Sequence, residues 1–202
     1  QLPGNPVLVN LEPTNLGEVL NSAIQVSEAA DCRDSGEDYV KWLRNRINSV
    51  GDKSREIANQ AKPRVALLDW LDPLFDGGHW SPEIIALAGG KPCFGVQGEP
   101  SQRRDWRELI AAAPEVIIVA LCGFDIALSM QDVRQFVSSK EFLRLKRNTD
   151  TRVYLFDGNA YFSRPGPRLV DALEITANAL HPNVHVLSDD LMPALEILCQ
   201  GP

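Results

Sequence analysis

One histidine, His79, stands among Trp70, Asp72, Phe75 and Trp80 in the stretch from Arg64 to Gly90, RVALLDWLDPLFDGGHWSPEIIALAGG. A neutral imidazole in such company has three uses. It can ligate a metal centre, cobalt or iron, carried by a ligand; it can hydrogen-bond the ligand's rim; or it can fasten its own loop to a backbone carbonyl. The indole of Trp80 either lies against a flat ligand or is buried under the helix that follows it. A second stretch, Asp157 to Leu169 (DGNAYFSRPGPRL), repeats the plan with Tyr161, Phe162 and Arg164. Arg164 offers a planar fork of donors to amide or phosphate oxygens, and Phe162 is either a contact surface or core. Pro165 and Pro167 fix φ, so this loop has its shape before any ligand arrives. Both stretches lead into a helix, and together they read as parts of one rim.

Other candidates carry less. Cys122, Gly123 and Phe124 end an apolar run and belong with the same rim. His181 and His185 have the i,i+4 spacing that presents two metal ligands together on a helix, but Pro182 and an apparent strand at Val184 undermine that helix. Asp69, Asp72 and Asp76 alternate with bulky residues, a pattern better suited to solvated or capping carboxylates than to a divalent ion. Arg168 is expected to cap or pair locally. Cys32, Cys93, Cys122 and Cys199 are widely spaced without a CxxC pair, so no zinc site is expected; buried free thiols are the plain reading and two disulfides the open alternative. No GxSxG elbow, P-loop or GxGxxG occurs. The expectation is ligand binding without a chemical step, no enzyme and no resident cofactor.

Holding these residues in place requires strands that end at the rim. Arg64 to Asp69 reads as a buried strand, after which Pro73, Gly77 and Gly78 are expected to exclude regular structure until Ser81, an N-cap with Pro82 at N1. Ile84, Ile85, Leu87 and Ala88 form the packed face of the next helix, and Gly89-Gly90 ends it. Further strands are expected at 93–96, 115–121, 152–156 and, weakly, 184–187. Helices are expected at 104–113, 129–137, 140–145, 167–180 and near 191–199, with Trp106 in the first of them, away from the rim. Loops beyond the carboxyl ends of strands in an open parallel sheet are where ligands bind. Upstream, the pattern predicts a strand over 7–11, a helix over 15–30 opened by Asn15 and Glu18 as a capping box, and one long helix from Ser35 to Ala61. That last helix is suited to be a strut between lobes, with a surface helix packed on one domain as the alternative. The fold class is α/β: a mainly parallel sheet flanked by helices, preceded by a long helical strut.

Composition narrows the field. A chain of 202 residues can bury one core, or one and a fraction. Its net charge of -7 argues against a nucleic-acid footprint, which requires a clustered basic face. The longest apolar run, Val116 to Cys122, is far below the roughly 20 residues of a membrane span. No signal peptide is visible and the chain begins with Gln1, so localisation is not decided at the N-terminus.

The segments LDWLDPLFDGGHWSPEIIALAGG, LCGF (Leu121 to Phe124) and YFSRPGPRLVDALE (Tyr161 to Glu174), in that order, resemble the cobalamin-binding, helical-backbone (class III) periplasmic substrate-binding proteins that serve ABC transporters. The resemblance runs from near Val7 to the end. It implies a remnant of a first lobe over 1–33, a connecting helix over 34–62 and a C-terminal ligand-binding lobe over 63–202, with most of the first lobe absent. It implies a corrinoid such as cobalamin, or a related metal chelate, captured in the periplasm or cell envelope for uptake. Trp70, His79, Trp80, Cys122, Gly123, Phe124, Tyr161, Phe162 and Arg164 are the ligand-binding residues it points to. It also implies docking on a transporter's membrane subunit through an exposed acid, for which Glu108 stands near the matching helix start, with Arg107 beside it. Two other readings stay open. One is a single-lobe assembly or regulatory module, in the cytoplasm or outside it, that forms a homodimer through the 7–11 strand. The other is a ferric-siderophore or haem binding protein; for an anionic siderophore more convergent arginines are expected, and only Arg164 is well placed.

Overall fold

A computed structural model describes residues 8–147, 149–191 and 193–197. Helix α1 (Leu16–Ala29) opens at Asn15, whose side chain accepts from the Glu18 backbone N–H at 3.0 Å. The Glu18 carboxylate turns to the Thr14 N–H at 2.7 Å, so half of the expected capping box forms. Helix α2 (Arg33–Arg55) is the predicted long helix, about 35 Å at 1.5 Å per residue. It ends at Arg55 rather than Ala61 because Ala58 turns to ψ 139°, leaving only a 3₁₀ turn at Asn59–Ala61. The expected strand over 7–11 is not found: residues 8–14 enter no ladder and Leu8 is 94% exposed, while Val7 lies outside the described residues.

Strands and helices then alternate: β1 (Arg64–Leu71), β2 (Leu74–Asp76), α3 (Ser81–Leu87), β3 (Lys91–Pro92), α4 (Trp106–Ala112), β4 (Val116–Val119), α5 (Ile126–Ser138), α6 (Lys140–Lys146), β5 (Arg152–Leu155), α7 (Gly158–Tyr161), α8 (Arg168–Leu180) and β6 (Leu195–Ile197). The sheet runs β2-β1-β4-β5-β6, with β3 also on β1. β3, β1, β4 and β5 are parallel, and β2 and β6 close the two edges antiparallel. The expected mainly parallel α/β lobe is present.

Period-two alternation explains why its central strands are apolar throughout. Val65, Leu67, Val116, Ile118 and Phe156 face one buried cluster with Ile84 and Ile85 of α3 and Leu169 and Leu173 of α8. Ala66, Leu68, Ile117, Val119 and Leu155 face the other, with Leu109 of α4, Val133 of α5 and Phe142 of α6. Helix α2 lies against the lobe: Leu43 and Val40 pack with Leu20 of α1 and Val170 of α8, and Arg46 pairs with Asp171 and Glu174 at 2.7 Å each. No helix among the described residues is long and apolar enough to cross a membrane.

Several expected elements are replaced. The stretch between Pro73 and Ser81 is not irregular, since Leu74 folds back to pair with Leu71 and makes β2. Ser81 is the first helical residue and Trp80 holds the cap position without a side-chain cap. The strand expected at 93–96 sits at 91–92, because Gly95, at φ 80°, turns the chain away. Residues 184–187 form no strand: the N–H groups of Val184 and His185 both go to the His181 carbonyl, closing a turn instead of a ladder. In place of a helix near 191–199, residues 195–197 pair with β5, whose open edge offers hydrogen bonds; residues 192, 198 and 199 lie outside the described residues.

Candidate functional site

A cavity of about 400 Å³ opens at the carboxyl ends of β1 and β4, on the sheet face covered by α3 and α8. Leu67 and Asp69 reach it from β1, and Ala120 and Cys122 from the end of β4. The turn into α3 supplies Gly78, His79, Trp80 and Ser81, the loop before α8 supplies Phe162, Ser163 and Pro165, and Ser101 and Pro13 complete the wall.

Two glycines let these loops converge. A Cβ on Gly78 would collide with the backbone of Pro100 and Ser101, so glycine is what brings the 99–101 segment against the turn. There His79 N–H donates to the Glu99 carbonyl at 2.6 Å and its own carbonyl accepts from Gly98 at 3.0 Å, which holds His79 at φ 51°. A Cβ on Gly158 would strike the Leu121 carbonyl, so glycine seats the second loop on the end of β4. Ser163 Oγ fixes it there, accepting from Gly123 N–H and donating to the Gly158 carbonyl, both at 2.8 Å.

The predicted residues divide into groups. His79, Trp80, Cys122 and Phe162 share the cavity. The imidazole of His79 does not fasten its loop: its Nδ1 is buried without a hydrogen-bond partner among the described residues. Trp80 and Phe162 are both a wall and core, 8% and 6% exposed, and the indole N–H donates to the Phe162 carbonyl. Gly123, at φ 76°, is exposed and does not line the cavity.

Trp70, Phe124, Tyr161 and Arg164 do not line this cavity. Trp70 packs edge-on against Phe124, with ring centroids 5.5 Å apart, and lines a groove on the opposite sheet face with Asp72, Trp106 and Phe136. Asp69 and Trp70 point to opposite faces even though β1 bulges against β2 between Leu68 and Trp70. Trp106 stacks on Phe136 at 5.0 Å. Tyr161 borders a separate cleft near Ile126 and Pro193. Arg164 is exposed and bonds Asn159 at 3.2 Å. Phe75 lies in β2 and bridges to Arg103.

Of the three acids expected to be solvated or capping, Asp72 is exposed, and Asp76 and Asp69 differ from the expectation. Asp76 is fully buried, accepts from Gln102 N–H at 2.7 Å and pairs with Arg104 at 2.7 Å. Asp69 is half-buried and accepts from Ser101 Oγ; burial holds its carboxyl above the usual carboxylate range, against the opposing effect of that hydrogen bond. Glu108 completes a capping box on α4, accepting from Asp105 N–H at 2.8 Å, and its other oxygen lies 3.3 Å from Arg104. Arg168, expected to cap or pair, is exposed and makes neither kind of contact among the described residues.

Elsewhere, His185 Nε2 meets Ser54 at 3.0 Å and His181 Nε2 meets the Gly89 carbonyl at 3.0 Å, so the two rings brace different elements. No group of three or more His, Cys, Asp or Glu is arranged to hold a metal ion among the described residues. Cys32, Cys93 and Cys122 are free thiols, but Cys32 and Cys122 are exposed rather than buried as expected, because each stands at an element's end facing solvent; Cys199 lies outside the described residues. Burial pushes the Cys93 thiol up to about 11.

Sequence reasoning missed Ser101, Ser163 and Pro13. Ser163 lay inside the second aromatic stretch and was within reach of the same argument. Ser101 and Pro13 come from polar, irregular segments whose approach depends on the fold of Gly78 and of α1.

The sequence matches the family described as "Periplasmic binding protein" over residues 4–156. No curated protein matches it. Among solved structures, the chain is similar to an ABC transporter substrate-binding protein from Listeria monocytogenes EGD-e, at 19% identity and a TM-score of 0.73, covering 87% of this chain and 68% of that one. It is similar to the periplasmic vitamin B12 binding protein BtuF of Vibrio cholerae, at 16% identity and a TM-score of 0.63, covering 86% and 64%. It is also similar to a periplasmic heme binding protein from Pseudomonas aeruginosa, at 18% identity and a TM-score of 0.66, covering 90% and 65%. The chain spans 57% to 68% of the length of the solved chains it resembles.

Proposed function

The chain belongs to the periplasmic binding protein family, and we propose that its cavity receives one face of a metal chelate, an uncharged corrinoid such as cobalamin fitting it best. What supports this reading above all is the imidazole of His79, set in the cavity wall with a buried nitrogen that has no partner among the described residues. Leaving such a group unsatisfied costs about 1–3 kcal/mol. On this reading the ring turns about χ2 as the ligand enters, and the metal of a chelate or a donor on its rim satisfies that nitrogen. One imidazole supplies one bond, so the remaining donors come with the ligand. Trp80 and Phe162 give flat apolar area beside it.

On this reading the chain is a solute-binding protein of the cell envelope, with no chemical step, and α2 is the strut that carries the lobe. Glu108 is the acid proposed to meet a transporter's membrane subunit; docking would exchange its contact with Arg104 for an arginine of the partner.

The test is an absorption titration of the purified chain with cyanocobalamin, aquocobalamin, haem and a ferric siderophore, repeated with His79→Ala. Saturable binding of a corrinoid, weakened about tenfold or more by the substitution, is the expected result, equivalent to ~1.4 kcal/mol. Binding of haem or siderophore alone would replace the corrinoid by that ligand. Absence of binding to all four would overturn the proposal.

A further inference from the structure

The cavity's charge distribution separates chelates that share a shape. Asp69 is the one Asp, Glu, Lys or Arg side chain in the wall among the described residues; His79 and Cys122 are its other titratable groups. The neighbouring buried acid, Asp76, is neutralised by Arg104, whose guanidinium also lies over the Phe94 ring and beside Glu108. That arginine is consumed behind the wall. Arg164, the cation closest in sequence to the wall, is exposed and bonded to Asn159. An anionic group entering the cavity therefore meets a carboxylate and no cation. A carboxylate oxygen has two acceptor sites, so Asp69 keeps acceptor capacity beyond its bond from Ser101.

We propose that the Asp69–Ser101 pair sets the specificity of this cavity, accepting hydrogen bonds from peripheral amide N–H groups of an uncharged or cationic chelate and turning away chelates whose periphery is carboxylate. The inference rests on the reading of the cavity as a chelate site. Ser101 fixes the carboxylate against the wall, and half-burial strengthens its repulsion of a like charge relative to bulk water. Selection in this scheme comes from a penalty on the wrong ligand as much as from a contact to the right one.

The experiment titrates the 202-residue chain with cyanocobalamin and with its monocarboxylic acid derivatives, in which one peripheral amide is hydrolysed and the rest of the molecule is unchanged. Wild-type protein is expected to bind at least one monocarboxylate about tenfold more weakly than the parent. Asp69→Asn keeps an acceptor for Ser101 and removes the charge, and it should shift the ratio of the two affinities about tenfold toward that monocarboxylate. Circular dichroism of the variant shows whether the fold is kept, and Ser101→Ala, which frees the carboxylate without removing it, should narrow the ratio less. Equal binding of parent and all monocarboxylates by wild type, or an unchanged ratio in Asp69→Asn, would overturn the role of Asp69 while leaving the chelate site standing. Failure of cyanocobalamin itself to bind would remove the corrinoid reading and this inference with it.

Discussion

Trp80 and Phe162 join the two halves of the rim: the indole Nε1–H donates to the Phe162 carbonyl at 3.1 Å, across 82 positions of sequence, and both side chains are buried. This bond ties the start of α3 to the loop before α8. Replacing Trp80 by Phe keeps an aromatic ring but leaves the carbonyl without its donor, and should cost about 1–3 kcal/mol of stability. Urea unfolding of Trp80→Phe measures it. A midpoint equal to wild type would mean that the rim is held by its flanking helices alone.

Arg46 is the corresponding tie for α2. Its guanidinium contacts Asp171 and Glu174 of α8 while only 19% exposed, and those hydrogen bonds, Glu174 first, raise its pKa further against the effect of burial. Arg46→Met would leave two half-buried carboxylates facing each other, with an expected loss of about 2–3 kcal/mol. A loss of less than about 0.5 kcal/mol would class the pair with ordinary surface ion pairs.

A pH effect follows from His185. Burial, with His181 and Lys53 nearby, lowers its pKa below the ordinary 6.5. The unfolded chain therefore takes up a proton at a pH where the folded chain does not, so stability is fully present above about pH 6.5 and declines as pH falls below it. Denaturant midpoints between pH 7.5 and 5 should drop more steeply for wild type than for His185→Gln. Parallel curves would show that His185 does not govern this range.

The strongest elements were legible because one physical signal decided each of them. EVIIVAL gave β4, and Val65 to Leu68 gave the heart of β1, since strands buried on both faces are apolar without interruption. Half of the candidate site was legible for a similar reason: His79 and Trp80 precede a helix, and Phe162 follows a strand end. The other half was not. Trp70 sits one residue from Asp69, and the sequence does not say which of two alternating residues faces the ligand until the sheet's two sides are assigned. Ser101 reaches Asp69 only because Gly78 admits the 99–101 backbone, a contact between segments with no local signature. Edge strands were the other blind spot. β2 and β6 are three residues each, and their register with β1 and β5 comes from tertiary pairing that local pattern cannot supply.

The central claim is that a chelate sits over His79 at the carboxyl ends of β1 and β4, and Cys122 is a natural reporter for it. This thiol is exposed and lines the cavity, whereas Cys93 is half-buried with its thiol pushed up to about 11. In a Cys32→Ser, Cys199→Ser chain, the rate of Cys122 alkylation by iodoacetamide would be measured with and without saturating cyanocobalamin. Ligand in the cavity predicts alkylation slowed by about tenfold, with Cys93 inert in both cases. An unchanged Cys122 rate under saturating ligand would place the chelate elsewhere and contradict the account.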